Sequence, residues 1–228
     1  SGSPLSAAQS SSPRYPQVGF EYAGTDVYAA VYDPGHYTVY WSNGSTSVAE
    51  AKRLPSEITV GGDWSVRFDP DWGPKEAVIF PELISWTESP EPLIRYYSGK
   101  AVYENAFDLD KDQIRGRKVL LDLGNVQDVA VIRVNGHEFP VSWCSPYEVD
   151  ITPYVRAGRN RLSVDVVNLW PNRLIGDGKL PPGERMTRSN ISKYDAPDAE
   201  KYMRVSGLLG PVRVKFFERV KITPQDKN

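Results

Sequence analysis

The sequence predicts an all-β protein, an antiparallel β-sandwich preceded by a small β-sheet segment. Short apolar runs recur between Gly, Pro and Asn punctuation along most of the 228 residues. The clearest, Val129–Val134, is followed by Asn135-Gly136, which tolerates the positive φ of a type I′ turn, so the run should fold back antiparallel onto 137–142. With 19 Pro and 18 Gly and no long helical periodicity, the composition suits many turns and few helices.

Taken in order, residues 1–17 are rich in Ser, Ala, Gln and Pro and read as a flexible linker. The chain begins SGSPLSAAQSSSPR without Met, which reads as a cut inside a longer protein. Residues 18–60 read as a small β-subdomain or the end of an upstream domain. Strands at 25–32, 36–41 and 45–51 are separated by Asp33-Pro34-Gly35 and Asn43-Gly44, and they should form one small sheet. Pro55 and Gly61-Gly62 then mark a boundary, and 61–223 is the sandwich, followed by a tail at 224–228. Within the sandwich, strands are expected at 64–68, 101–107, 118–123, Val129–Val134, 161–168 and 211–222. Val129–Val134 is apolar enough to be buried largely on both faces. Two irregular excursions flank the strand block, a Pro-rich one at 69–97 and a second of about forty residues after Asn168, far beyond the roughly 12 to 15 residues usual for a connection. Any site should lie there.

Composition excludes several functions. A net charge of −2, with no cluster of Lys and Arg on one element, leaves no footprint for nucleic acid. No apolar stretch approaches the roughly 20 residues of a membrane span. The single cysteine, Cys144, forms no internal disulfide and reads as a small buried residue. The two histidines, His36 and His137, flank hairpin turns and offer neither a triad nor zinc spacing. Asp108, Asp110 and Asp112 open like a calcium loop, but the sixth position is Gln113 and the twelfth Val119, so the run is no EF-hand. A structural calcium held elsewhere by carboxylates and loop carbonyls stays open as the one cofactor. Glycoside hydrolysis needs only two carboxylates about 5 to 10 Å apart. With 29 Asp and Glu the sequence nominates no such pair.

Aromatic residues in loops are the stronger signal. Trp72, Trp86, Trp143 and Trp170 lie in or beside Pro-containing loops, with Arg95, Tyr96, Tyr97, Asn168, Asn172, Arg173 and Asp177 nearby in sequence. An indole stacks on the C–H face of a sugar ring, whose hydroxyls take directional bonds from Asn, Asp and Arg. The candidate carbohydrate-binding set is therefore Trp86, Arg95, Trp143, Trp170, Asn172, Arg173 and Asp177. No catalytic residue is nominated. The alternative is that the tryptophans anchor the loops to the sheet.

At these residues the chain resembles a known family. The stretches WSVRFDPDWGP at 64–74, IRYYSGKAVY at 94–103, LDLGNV at 121–126, VNG at 134–136, VDIT at 149–152, NLWPNRLIGD at 168–177 and SGLLGPV at 206–212 are similar to the galactose-binding-like jelly-roll domain of family 2 glycoside hydrolases. The likeness is closer still to the C-terminal β-sandwich of bacterial α-L-rhamnosidase-type glycoside hydrolases. VNG with DIT specifies only the fold, whereas NLWPNRLIGD and SGLLGP carry the family resemblance. It implies an antiparallel jelly roll within a multidomain, secreted or periplasmic enzyme that acts on plant or algal polysaccharide. The catalytic carboxylates would belong to an upstream barrel domain, of typically about 250 residues, that nothing in this chain supplies. The partners expected are therefore carbohydrate and that catalytic domain. Three roles follow: a carbohydrate-binding module, a scaffold for the barrel, or a self-contained glycosidase.

Overall fold

The structure, a computed structural model, describes residues 18–224; the linker at 1–17 and the tail from 225 lie outside them. It is all-β and antiparallel, as the punctuation predicts, and it divides into two units, residues 1–55 with 217–228 and residues 56–216.

In the first unit, β1 (Val18–Ala23) pairs with β2 (Asp26–Val31), and β3 (Gly35–Tyr40) pairs with β4 (Thr46–Ala51) across the Asn43-Gly44 turn. Gly44 takes φ 84°, and Asn43 Oδ1 accepts the Ser45 N–H at 3.0 Å. These strands are not the single sheet expected from the sequence. Both edges of β2 are taken, one by β1 and the other by residues 218–222, which leaves no edge for β3. Ala29, Val31 and Ile222 instead meet Ala49 and Ala51 in a small core.

The second unit holds the larger core. Its strands are β5 (Ile58–Thr59), β6 (Trp64–Phe68), β7 (Val78–Phe80), β8 (Lys100–Leu109), β9 (Arg117–Asp122), β10 (Asn125–Gln127), β11 (Val129–Val134), β12 (His137–Glu138), β13 (Glu148–Asp150), β14 (Gly158–Val167), β15 (Gly207–Gly210) and the first residues, to Phe216, of β16 (Arg213–Ile222). One sheet runs β12-β11-β14-β8-β6-β7. Opposite it lie the pairs β9 with β13, β10 with β15, and β5 with the first residues of β16. The layers bury Tyr103, Phe107, Ile132 and Val164 from one side against Val119, Leu121, Leu208 and Val214 from the other. Each fully buried apolar side chain contributes roughly 1.5–3 kcal/mol, so this core dominates stability.

The boundary expected at 60/61 falls at Pro55. Ile58 and Thr59 pair with Val214 and Arg213, which draws β5 into the sandwich. At the other end, 217–222 leaves the expected 61–223 domain, because these residues pair with β2.

The Asn135-Gly136 turn has φ 51° and 88°, and Val134 faces His137 in register. Strand β11 is buried on one face only: Ala130, Ile132 and Val134 are at 0% exposure, while Val129, Val131 and Arg133 are partly exposed on the outer face. Cys144, expected inside, is exposed in the loop between β12 and β13. At the other turn, Asp110 caps the one-turn helix α1 (Lys111–Ile114), with Gln113 Oε1 accepting its N–H at 2.8 Å. Among the described residues no group of three His, Cys, Asp or Glu is placed to hold a metal.

Candidate functional site

The excursion after β14 is better ordered than its sequence suggested. Residues Pro171–Gly178 form an α-helix, α2, with Trp170 at its N-cap and Pro at the first position, where no backbone N–H is needed. Pro171 is the available sequence signal, masked by two glycines and three polar or charged residues among the eight.

Polar side chains with complementary donors and acceptors hold this helix to the sandwich. Asn168 Nδ2 donates to the Tyr97 carbonyl at 3.0 Å and to Ser206 Oγ at 2.9 Å, while its Oδ1 accepts the Gly99 N–H at 2.9 Å. Asn172 is fully buried; its Nδ2 donates to the Arg204 carbonyl and to Ser206 Oγ, and its Oδ1 accepts the Arg204 N–H. Ser98 Oγ donates to the Leu169 carbonyl and accepts the Arg173 N–H at 3.0 Å. Ser98 and Ser206 were not nominated from the sequence. Their signal is that each precedes a glycine at positive φ, Gly99 at 140° and Gly207 at 106°.

Arg173 and Asp177, one turn apart, are buried together, with Nη1 3.7 Å from Oδ1. Arg173 Nε donates to the Tyr96 carbonyl at 3.1 Å. Burial pulls its guanidinium below the ordinary value, against the opposing pull of Asp177. The other oxygen of Asp177 accepts from both the N–H and the hydroxyl of Thr187, which pins the following loop. A second clamp is Glu200, which accepts from the Tyr96 hydroxyl at 2.5 Å and pairs with Lys179 at 2.9 Å. These two partners hold its carboxyl down at about 2.

The nominated residues therefore separate. Asn172, Arg173 and Asp177 are buried and turned into the protein, with Asp177 Oδ1 facing the Arg173 guanidinium without a hydrogen bond, so they position the loop from beneath the surface. Trp86 is corrected outright. It is at 0% exposure, its indole N–H bonded to the Tyr103 hydroxyl and its ring edge-on to Phe68 and Tyr97, so it has no face to offer a sugar. Gly207 fits this packing because a Cβ there would lie 2.7 Å from the Trp86 indole nitrogen. Arg95 is partly exposed, donating to the Thr87 carbonyl at 2.7 Å, with Glu200 3.7 Å away.

Two tryptophans do face water. Trp170 is 53% exposed and stands edge-on to Trp72, ring centres 5.8 Å apart at 81°. Leu169 beside it is also exposed. Trp143 is 73% exposed but belongs to the β12–β13 loop, and no hydrogen bond or ring contact among the described residues joins it to α2. The arrangement is thus a rigid polar lock beneath a presented indole.

Known proteins share this body. The family model for the sugar binding domain of glycosyl hydrolases family 2 matches residues 34–197. A putative beta-glucuronidase of Formosa agariphila is 34% identical over 205 residues, covering 79% of this chain and 17% of that protein. The solved rhamnosidase from Novosphingobium sp. PP1Y aligns at 30% identity and a TM-score of 0.63, covering 85% of this chain and 21% of that one. The chain is therefore far shorter than either relative. Because the model spans most of the described strands, the chain belongs to the family 2 glycosyl hydrolase sugar-binding domains.

Proposed function

We propose that this chain is a non-catalytic carbohydrate-binding accessory sandwich, set in the C-terminal region of a rhamnosidase-type glycoside hydrolase and working beside that enzyme's catalytic domain. The observation that carries the reading is the Trp170 indole, exposed yet braced by Trp72 and by a buried hydrogen-bonded helix. A ring held rigid before a sugar arrives loses little conformational freedom on binding. The rhamnosidase type is supported by 30% identity to the Novosphingobium rhamnosidase over 85% of the chain. An enzyme of this kind would be secreted or periplasmic and would meet plant or algal polysaccharide.

The burial of Asn172, Arg173 and Asp177 favours a second reading, in which the lock serves only to buttress the catalytic domain and Trp170 with Leu169 meets protein instead of sugar. A glycan array and a hydrolysis screen on the purified chain, with Trp170→Ala in parallel, separate the two. Retention of a glycan by the wild type and its loss in the variant, at unchanged melting temperature, supports sugar contact. Absence of glycan retention leaves the buttress. Turnover of any glycoside by the chain alone would refute the non-catalytic assignment.

A further inference from the structure

The outer face of the six-stranded sheet carries a groove of about 830 Å³. Its floor is a polar row set by register, with Arg133 opposite Ser163 and Ser163 opposite Glu104. The Asn135-Gly136 turn, Arg156 and Arg161 also line it, so the lining holds three guanidinium groups and one carboxylate in a chain whose net charge is −2.

Part of that charge is already answered. Arg133 is paired with Asp165 at 2.8 Å and Glu138 at 2.6 Å, and Glu104 is paired with Arg67 at 2.6 Å. Arg156 and Arg161 differ. Both are exposed, and among the described residues neither guanidinium meets a carboxylate; Arg156 Nε makes only a long bond, 3.4 Å, to the Arg159 carbonyl.

Their backbones, however, are fixed by one buried device. Asn160, fully buried, accepts the Arg156 N–H at 2.9 Å and donates to the Arg156 and Gly158 carbonyls. Asn135 donates to Asn160 Oδ1 and to the Tyr154 carbonyl, both at 2.8 Å, and its Oδ1 accepts the Arg161 N–H at 2.9 Å. Two asparagines thus hold both unpaired arginines on the wall of one groove. Directly after the Asn135-Gly136 turn, His137 stacks on Tyr154 with ring centres 3.5 Å apart.

We propose that this groove is a second saccharide site, selective for an acidic sugar whose carboxylate or sulfate is clamped by Arg156 and Arg161. Guanidinium is the side chain whose planar fork matches such oxyanions in bidentate fashion. Ser163 and Glu104 on the floor supply groups for sugar hydroxyls, which a simple anion site would not need. The inference rests on the saccharide reading above and adds the charge class and a separate location.

The test is titration of the purified chain, followed by calorimetry, with a uronic acid trisaccharide, a sulfated trisaccharide and a neutral trisaccharide of the same length. Arg156→Ala/Arg161→Ala should weaken an acidic trisaccharide by about tenfold or more, while Arg188→Ala, which removes a surface charge elsewhere, should not. Arg156→Lys/Arg161→Lys should restore only part of the affinity, since the charge returns without the fork. Whichever of the uronate and sulfate arms binds identifies the oxyanion. Equal binding of neutral and acidic sugars, or acidic binding unchanged in the double alanine variant, overturns the groove proposal while the carbohydrate reading stands. Displacement by inorganic sulfate at the same concentration as the sugar overturns its saccharide component. Binding of none of the three sugars overturns the groove, and an empty glycan array besides would overturn carbohydrate contact altogether. Unchanged melting of the alanine variant checks the fold.

Discussion

Replacing Asn172 by alanine tests whether the polar lock, and not apolar packing, holds α2 in place. The side chain makes three hydrogen bonds, two donated and one accepted, at 0% exposure. At roughly 0.5–1.5 kcal/mol net for each bond, Asn172→Ala should cost about 2–4 kcal/mol. For a domain of this size that lowers the melting temperature by roughly 5–15 °C. Asn172→Asp keeps the acceptor facing the Arg204 N–H but loses both donations and buries a charge. It should therefore be worse than alanine at pH 7. A buried carboxylate with no cation holds its proton more tightly folded than unfolded, so the aspartate variant should regain stability as the pH falls. Urea unfolding of the purified chain at pH 7 and pH 5, followed by tryptophan fluorescence, reads both effects. A loss below about 0.5 kcal/mol for Asn172→Ala, the range of an ordinary surface substitution, would refute the lock.

Gly207→Ala sets a Cβ 2.7 Å from the Trp86 indole nitrogen at φ 106°, so backbone strain and overpacking should together cost about 2–5 kcal/mol in the same unfolding assay. Trp86→Ala should cost about 3–5 kcal/mol through the cavity it leaves, whereas Trp170→Ala, half exposed, should cost about 1 kcal/mol or less, a contrast readable by thermal melting. Lys215→Met should cost about 3–5 kcal/mol, because it strips a cation from Asp122 at 2.7 Å and Glu148 at 3.3 Å, both largely buried. Burial already raises the Glu148 carboxyl above its ordinary 4.5, with Lys215 opposing the rise. The folded state therefore binds the proton more readily than the unfolded state, and this group's contribution to stability falls as pH rises above 4.5. The methionine variant should show a steeper fall in melting temperature across that window, and a pH-independent difference from wild type would sink the assignment.

The strands were legible because each is governed by residues within it or beside it. Asn135-Gly136 sets a turn whatever surrounds it, and the alternation of Ala130, Ile132 and Val134 gives the inward face. The boundary was harder to read, because Ile58 and Phe217 take their places from strands far away in the chain. The site was least legible. Asn172 and Arg173 look in sequence like groups offered to a ligand, yet whether an amide points out or in depends on where Ser206 and the Arg204 backbone arrive, and those lie more than thirty residues downstream. The same holds for tryptophan, in that Trp86 and Trp170 both lie in or beside Pro-containing loops, and only the third dimension sends one inward and the other to solvent.

The final strand has a consequence for synthesis. Lys221 pairs with Asp26 across 195 positions of chain, so the sheet that opens with β1 and β2 is completed by nearly the last residues described. On a ribosome the β1–β2 hairpin would emerge before the sandwich that follows it and wait, one edge of β2 unpaired, until β16 had been translated. The slow step in folding this sheet should therefore be the late pairing of β16 with β2, two strands separated by nearly two hundred residues.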